Sequence, residues 1–561
     1  MPLAFPSAQG FASTTTTGGR AGSVLFVTNL NDAGAGSFRE ACTAAGPRTV
    51  LFSVSGEILL LSKLTINTDD ITIYGSSAPG DGVVIHGEIN IECSNVILRH
   101  LRIRPGEGGT IPNVNPDSRD AIQVVGNTIN NLVIDHCSLS WGNDETLSFF
   151  NVDNLNATVQ WTIVSESLRN PTPPHSEGQH GKGMLVGSSS VNLTIHHSLL
   201  AHHTDRNPST TSGTCIDFVN NVVYNYGSPH NVRASSGVLH TNVVKNHYIS
   251  GLDDNGKGGA VRLRGGDADT LSSNVFLLGN RHATHRPNDT FPEEDIIYRS
   301  GSSPHFPVTT TRIAAPSLTE SDADQAKVDV LGSCGAIQPV RDVIDARIIA
   351  DVSNGTGRWI DTESDVGGFQ TLTGGNLPLD TSGDGIADSW KLSHGLPVGV
   401  NHAQVLAASG YTHLENYQNE LAGDTIPSGD YQSGGGTMPW PNASDLTQLT
   451  AINDSTEQFF ATQSLNPMES CVCTVHLQFP TGATDDAIVS IYTNARDTQR
   501  WETLPRQFRV APPASLPGPQ TISFKMFNEY EFRVGVIMDG SSAALTSADM
   551  TVRKNGVDAS A

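Results

Sequence analysis

NLVIDHCSLSW, at residues 131–141, sets the pattern for the first half of the chain: short apolar strands separated by turns of Asn, Gly and Ser. The pattern recurs from about residue 50 to residue 285. The clearest other examples are ITIYG at 71–75, NVILRHLRIR at 95–104, ATVQWTIVSES at 157–167, NLTIHHSLLAH at 192–202, DFVNNVVYNYG at 217–227 and HTNVVKNHYISG at 240–251. Such repetition indicates a solenoid in which each repeat is one coil.

The repeat length supports a β-helix. Aligned on His100, His136, Trp161, His197, Asn221 and Asn246, the strands recur at intervals of about 24–36 residues, which suits one coil with variable loops. Only neighbouring coils can bury the hydrophobic face of each strand, so we expect parallel coils. A β-sandwich is the alternative, but the Asn-Gly hairpin signals that it needs are sparse here.

Length and composition predict a chain that is mostly β and has several domains, because 561 residues exceed one core and only 16% are charged. We predict an all-β, right-handed parallel β-helix with a C-terminal antiparallel β-sandwich. The β-helix domain spans 1–370, and a loop and helix extend it over 371–425. A Gly-rich linker at 426–441 precedes the sandwich at 442–561.

The charge balance limits the classes of partner. With 33 basic and 57 acidic residues, the formal net charge of −24 repels nucleic acid and anionic membranes, so we expect neither as a partner. No apolar run approaches the roughly 20 residues of a membrane span. A polyanionic ligand would need a local cluster of cations or a bound metal ion.

Residues whose side chains can take part in catalysis or metal binding are concentrated between Arg119 and Arg206. In chain order they are Arg119-Asp120, IDHCSLSW at 134–141, Asn143-Asp144-Glu145, His180-Gly-Lys182, His196-His197 and Asp205-Arg206-Asn207-Pro208. In order and context these motifs resemble family 1 polysaccharide lyases, the pectate lyases. The resemblance covers roughly residues 10–420, including the opening GFASTTTTGGRAGSVLFVTNLNDAGAGSFREA, which looks like that family's N-terminal cap.

The resemblance implies a calcium site and a catalytic arginine. In that family, carboxylates on neighbouring coils hold calcium, and a nearby arginine removes the proton at C5 of a uronate. Asp120 and Asp144 match metal-ligand positions, and Glu145 is a third candidate that this sequence itself supplies. Lys182 matches the lysine that pairs with the substrate carboxylate, and Arg206 matches the catalytic arginine.

Some positions depart from the family pattern. Ser118 and Ser148 stand where relatives carry Asp, which implies weaker calcium binding, and Thr211 stands where many relatives carry a second arginine. His180 and His197 are further candidates for substrate binding, beside Lys182 and Arg206.

The resemblance therefore predicts a pectate lyase with Ca²⁺ as its cofactor. It would cleave polygalacturonate by β-elimination and leave 4,5-unsaturated oligogalacturonates. The C5 hydrogen lies α to a carboxylate, and its removal builds charge that calcium and Lys182 would stabilise. Arg206 as a base needs a lowered pKa, since a guanidinium normally stays protonated at pH 7.

Alternatives remain at this point. A β-helical glycoside hydrolase would use carboxylates such as Asp120, Asp144 and Glu145 as acid and base. A non-catalytic carbohydrate-binding or spike-like protein is the alternative from another class. For individual residues, the alternative for Asp144 and Glu145 is a solvated acidic turn without metal. The alternative for Arg206 is a surface ion pair with Asp205.

A second calcium site is predicted at the start of the extension. Asp380, Ser382, Asp384, the carbonyl of Ile386 and Asp388 fall at positions 1, 3, 5, 7 and 9 of an EF-hand loop. Position 12 is Lys391 instead of the usual Glu, and Glu415 is a candidate substitute. We expect a structural calcium clamp, with an empty acidic turn as the alternative.

Localisation and assembly follow only from the expected substrate. A polysaccharide of cell walls implies a secreted, extracellular monomer, with a virion-associated protein as a minor alternative. The first residues, MPLAFPSAQGFA, lack a basic region followed by a long apolar one.

Overall fold

A computed structural model divides the chain into two compact units, Met1–Lys391 with Gly395–Tyr431, and Leu392–His394 with Gln432–Ala561. It describes residues 2–431, except 109–110, 112–114, 128, 188–189 and 255–258, together with the backbone of strands between Gln448 and Asn555. The larger part of the predicted linker at 426–441 lies outside the described residues.

The first unit is a parallel β-helix, as the repeat predicts. Strands one coil apart pair in parallel, so that Leu132–Asp135 lies between Val96–Arg99 and residues 157–160. Each full coil contributes one strand to each of three sheets, and Glu145–Gln160 bends from sheet 3 into sheet 1.

The strands of the three sheets follow one another along the chain. Sheet 1 contains Ser23–Val27, Arg48–Phe52, Ile71–Tyr74, Val96–Arg99, Leu132–Asp135, the second half of Glu145–Gln160, Ser190–His196, Gly213–Val219, Leu239–Val244, Asn274–Leu278 and Val308–Thr309. Sheet 2 contains Gly56–Leu59, Val83–His86, Arg102–Ile103, Ser138–Ser140, Ile163–Ser165, Leu199–Ala201, Val222–Tyr224, His247–Ile249 and Arg281–His282. Sheet 3 contains Leu64–Ile66, Ile89–Ile91, Ile122–Gly126, the first half of Glu145–Gln160, Lys182–Gly187, Ser209–Thr210, His230–Val232, Val261–Gly265 and Ile297–Gly301.

The core consists of ladders of apolar side chains that stack from coil to coil. One ladder in sheet 1 contains Leu98, Ile134, Val159, Ile195, Phe218, Val243 and Leu277. All are buried in a single cluster, and burial of each such side chain is worth about 1.5–3 kcal/mol. The coils are therefore held together mainly by contacts between equivalent positions.

At the corner between sheets 1 and 2, the structure differs from the predicted alignment of the coils. The corner residues have left-handed backbone conformations, with φ between 48° and 55°, at His100, His136, Trp161, His197, Asn220 and Lys245. The first four match the alignment, but Asn221 and Asn246 lie one position further on. Their side chains turn inward instead: the Asn221 side-chain amide donates to the Ile195 carbonyl at 2.8 Å, and that of Asn246 to the Phe218 carbonyl at 2.9 Å.

Additional segments cover the coils. Helix α1, Phe38–Thr43, packs into the core at the first coil, with the Phe38 ring 5.5 Å from that of Phe52. The N-terminal segment lies along the outer face of sheet 1, where the Ala12 N–H donates to Thr158. Helices α2, Ala323–Ser333, and α3, Val343–Asn354, follow the last coil.

The extension contains two further helices, α4, Asp388–Ser393, and α5, His413–Leu421. Arg99 on sheet 1 donates to Asn419 and to Asp424, both at 3.0 Å, and so fixes the C-terminal end of α5 against the coils. Short 3₁₀ turns are Gly75–Ser77, Pro116–Ser118, Thr270–Ser272, Glu293–Ile296 and Glu363–Val366.

The second unit contains antiparallel strands. They are Gln448–Ile452, Gln458–Phe459, Gln463–Ser464, Ser470–Gln478, Asp486–Ala495, Arg500–Trp501, Arg506–Val510, Pro519–Phe527, Glu531–Asp539 and Leu545–Asn555. Ser470–Gln478 pairs with both Pro519–Phe527 and Leu545–Asn555, and Asp486–Ala495 pairs with Glu531–Asp539. Among the described residues of the chain, none of the helices is long and apolar enough to cross a membrane.

Candidate active site

Most of the predicted active-site residues meet where the strands of sheet 3 begin. Glu145 and Lys182 are the first residues of their strands and lie side by side in register. On the next coil, Asp205 forms a parallel bridge with Lys182, and Arg206 follows it. Asp120 precedes the neighbouring strand Ile122–Gly126. Because adjacent strands are about 4.8 Å apart, these side chains form one cluster across four coils.

Asp120 is the buried anchor of the cluster, since it is only 1% exposed. One carboxylate oxygen accepts the Glu145 N–H at 3.0 Å, and the other accepts the hydroxyl of Ser148. Burial, reinforced by repulsion from Asp144, raises the pKa of Asp120 well above its ordinary value. Ser148 therefore serves to hold this carboxylate in place.

Arg206 is ion-paired with Glu145. Its carbonyl accepts the Met184 N–H at 2.7 Å, and a Cβ on Gly183 would lie 2.7 Å from that carbonyl oxygen. Only glycine therefore allows the strand of Lys182 to approach Arg206 so closely. Burial lowers the pKa of Arg206 below its ordinary value, although the Asp144 and Asp120 carboxylates oppose the shift.

Lys182, whose partner on the next coil is Asp205, is held by a loop residue that sequence reasoning missed. Its ammonium donates to Glu177 at 3.1 Å, and the Glu177 side chain is 66% exposed. That loop joins sheet 2 to sheet 3 between Ser165 and Lys182. Polar residues in an unusually long connection are the signal that would have drawn attention to it.

Asp144 contacts two stacked histidines from the same loop. His180 Nε2 lies 2.9 Å and His175 Nε2 lies 3.4 Å from Asp144 Oδ1, and the two rings are 3.6 Å apart. His180 was expected from the sequence and His175 was not. Together the imidazoles position the Asp144 carboxylate toward the cluster.

The donor set fits a hard divalent cation. Carboxylate oxygens of Asp120, Asp144 and Glu145 all lie within 4.8 Å of one another. Crowded carboxylates of this kind suit Ca²⁺, which prefers oxygen ligands, and water or substrate oxygens would complete the six to eight it requires. Ser118 is one of the positions that depart from the family pattern. Its backbone carbonyl accepts a hydrogen bond from the Lys63 ammonium at 3.2 Å.

His197 does not join the cluster. It lies at the corner between sheets 1 and 2, where its ring stacks on Trp161 with centroids 4.5 Å apart. Asp135 and His136, which come from the IDHCSLS run, also lie at that corner. There Arg99 donates to the buried Asp135 at 2.7 Å, so this carboxylate has a structural role.

The five residues of the second predicted calcium site do lie together in one loop. Asp380 accepts the Gly385 N–H at 2.7 Å, and Asp384 accepts the Ile386 N–H at 3.0 Å. Asp388 accepts the Thr381 N–H at 3.1 Å, and Ser382 donates to Asp380 at 3.0 Å. The ammonium of Lys391 lies between these oxygens, 2.8 Å from Asp384.

Comparison with known proteins identifies the family. No family model matches the sequence. A probable pectate lyase C of Aspergillus fumigatus is 32% identical over 438 residues, which cover 75% of this chain and 94% of the relative. A probable pectate lyase C of Aspergillus oryzae is 33% identical over 435 residues, again 75% and 94% of the two chains. The chain belongs to the pectate lyase family.

Membership of the pectate lyase family makes this chain a polysaccharide lyase, as the motifs predict. Among solved structures, jun a 1, the major allergen from cedar pollen, matches 58% of this chain and 92% of its own at 18% identity, with a TM-score of 0.41. The pectate lyase pelN from Paenibacillus sp. 0602 matches 60% and 96% at 16% identity, with a TM-score of 0.39.

Proposed function

We propose that the chain cleaves pectate, a polygalacturonate, by calcium-assisted β-elimination and leaves 4,5-unsaturated oligogalacturonates. The observation that carries the proposal is the convergence of Arg206, Lys182 and three carboxylates where sheet 3 begins. Relatives that are named pectate lyases over 75% of the chain support the choice of substrate.

Arg206 is the base in this reaction. The neutral guanidine removes the proton at C5, the electron pair of the C–H bond forms the C4=C5 double bond, and the glycosidic oxygen leaves C4 with the bonding pair and takes a proton from water. Arg206 must first be unprotonated, and burial favours that state. The proposed reaction should therefore be faster at alkaline pH.

Lys182 binds the substrate carboxylate next to the reacting carbon. Its pairing with Asp205, which precedes Arg206, places the lysine and the base on neighbouring coils. Asp120, Asp144 and Glu145 would hold calcium, which would supply positive charge to the substrate carboxylate as C5 loses its proton. Glu177, which contacts Lys182, must give way to the substrate.

The test is polygalacturonate turnover with calcium or with excess chelator, followed by ultraviolet absorbance and product masses. We expect an absorbing 4,5-unsaturated product that forms only with calcium. New reducing ends without absorbance would indicate a glycoside hydrolase, and retention on pectate without turnover would indicate a binding protein.

The hydrolase alternative meets a physical difficulty in Asp120. Its raised pKa is the property of a general acid, but both of its oxygens already accept hydrogen bonds, from Glu145 and Ser148. A side chain so buried and so engaged cannot reach a glycosidic oxygen. The lyase assignment needs Asp120 only as a ligand.

We propose further that the β-helix is right-handed, as almost all parallel crossovers are, and that the antiparallel strands of 442–561 form a β-sandwich accessory domain. Residues 1–370 and 371–425 would form the lyase domain and its extension. A pectate substrate also favours a secreted protein that acts as a monomer.

A further inference from the structure

Lys391 occupies the centre of the loop that the sequence marks as a calcium site. Its ammonium lies 2.8 Å from Asp384 Oδ1, 2.5 Å from Ser382 Oγ and 3.6 Å from Asp380 Oδ1. These are the side chains at loop positions 5, 3 and 1. An ammonium carries three donors, which matches the three oxygens around it.

The site around Lys391 is closed. Lys391 is 0% exposed and Asp384 is 1% exposed. Burial alone would raise the pKa of Asp384, but the His402 N–H and Lys391 hold it below its ordinary value. A buried lysine that is paired in this way is expensive to separate from its partners.

The other carboxylates that a metal ion would need are engaged elsewhere. Asp388 accepts hydrogen bonds from the N–H and the hydroxyl of Thr381. Glu415 accepts from the Arg20 guanidinium at 2.8 Å and from the Thr412 N–H at 2.7 Å. Glu415 is thus neutralised by Arg20, and inside the loop a cation already stands where a dication would bind.

We propose that Lys391 is a built-in cation that replaces calcium in the 380–391 loop, so that this loop closes without metal. The sequence-based expectation of a structural calcium clamp at Asp380, Ser382, Asp384, Ile386 and Asp388 is thereby replaced. Position 12 lacks the usual metal ligand, and its lysine side chain supplies the positive charge instead.

This arrangement has a consequence for an enzyme that acts on pectate, and this step rests on the proposed function. A polyuronate carries one carboxylate per sugar and withdraws calcium from its surroundings. The loop supports α4 and α5, and the segment that ends α5 holds Arg99 on the coils through Asn419 and Asp424. A lysine keeps this support intact where free calcium is scarce.

The test is hydrogen exchange of the full chain, read at peptides covering 380–391, in excess calcium and in excess EDTA. We expect the parent protein to exchange equally in both. Lys391→Glu restores the position-12 ligand, so its protection in this peptide should become calcium-dependent by about tenfold or more. Lys391→Met, of similar length but without charge or ligand, should lose protection in EDTA.

Three outcomes would overturn the proposal: faster exchange of the parent loop in EDTA, parent-like protection of Lys391→Met in EDTA, or no effect of calcium on a folded Lys391→Glu. If Lys391→Glu fails to fold, the parent and Lys391→Met still decide. Lyase activity is measured on the same samples. Its loss in EDTA tests the active-site calcium alone, so the two proposals can fail separately.

Discussion

Arg206→Lys separates a catalytic base from an anchor, because the two roles predict losses of very different size. Lysine keeps the positive charge, but a compact ammonium cannot take the place of the planar guanidinium. The backbone of Arg206 is fixed by the Met184 N–H and has a φ of 63°. The substitution therefore alters the functional group and leaves its attachment to the coil unchanged.

The magnitudes follow from the environment of Arg206. Loss of a general base costs about 10²- to 10⁴-fold in rate, or about 2.7–5.5 kcal/mol in activation free energy. Lysine keeps a positive charge beside Glu145, whose side chain is 4% exposed, so the substitution does not leave that carboxylate without a cation. If Arg206 only anchors the substrate carboxylate, KM should rise while kcat is largely kept. The two roles therefore differ in which kinetic constant changes and by how much.

The assay is the initial rate of unsaturated-product formation over a range of polygalacturonate concentrations, which gives kcat and KM separately. We expect kcat of Arg206→Lys to fall by about 100-fold or more with little change in KM. Arg262→Lys is the matched control, because Arg262 lies on the same sheet and donates to Ser300 at 2.8 Å, outside the cluster. A kcat for Arg206→Lys within about tenfold of the parent, below the smallest contribution expected of a general base, would remove Arg206 from that role.

Three further predictions concern calcium, the unit boundary and stability. Chelation should abolish activity, and Asp144→Asn should raise the calcium concentration for half-maximal rate by about 10-fold or more; equal calcium curves for the two proteins would contradict the site. A chain ending at Tyr431, where the first unit ends, should remain folded by circular dichroism and retain lyase activity; an insoluble or inactive product would refute its independence. Arg347→Met should cost about 2 kcal/mol or more by removing the partner of the buried Glu166, 2.6 Å away. Hydrogen bonding and charge from Arg347 hold the pKa of Glu166 below its ordinary value despite burial. The stabilisation by this pair is therefore present above about pH 4.3, the pKa of Glu in the unfolded chain, and is lost as the pH falls through the lower pKa of Glu166 in the folded protein. A difference in Tm between parent and variant that does not change with pH would argue against this pairing.

The coils were predictable because inward side chains recur at one position per strand. Ile134, Val159 and Ile195 carry that signal, and they form the ladder that holds the coils together. The alignment failed by one residue at Asn220 and Asn221. Both are polar, so hydropathy cannot tell which occupies the left-handed corner; only the inward hydrogen bond of Asn221 to Asn246 distinguishes them.

The resemblance to pectate lyase motifs, and not the strand repeat, singled out the residues of the candidate site, and it did not extend to the loop residues. Glu145 and Lys182 begin strands, so the repeat itself brings them into register. His175 and Glu177 reach the cluster through a loop whose path is independent of strand periodicity. Lys391 shows a third limit of prediction from sequence. The EF-hand pattern indicates only that position 12 lacks its usual ligand. It does not indicate that the long Lys391 side chain reaches back and places its ammonium at the centre of the loop.

The charges of the site explain how so acidic a protein can act on a polyanion. Lys182 is paired with Glu177 and Arg206 with Glu145, while Asp120 and Asp144 add two more carboxylates. With all four acids ionised, the excess over the two cations is two negative charges, which adds to the raised pKa that burial gives Asp120, on a chain whose net charge is already −24. Such a site repels a polyuronate. One dication held by the carboxylates would cancel the excess and release Arg206 from Glu145, so under the proposed function we expect the metal to bind before the substrate.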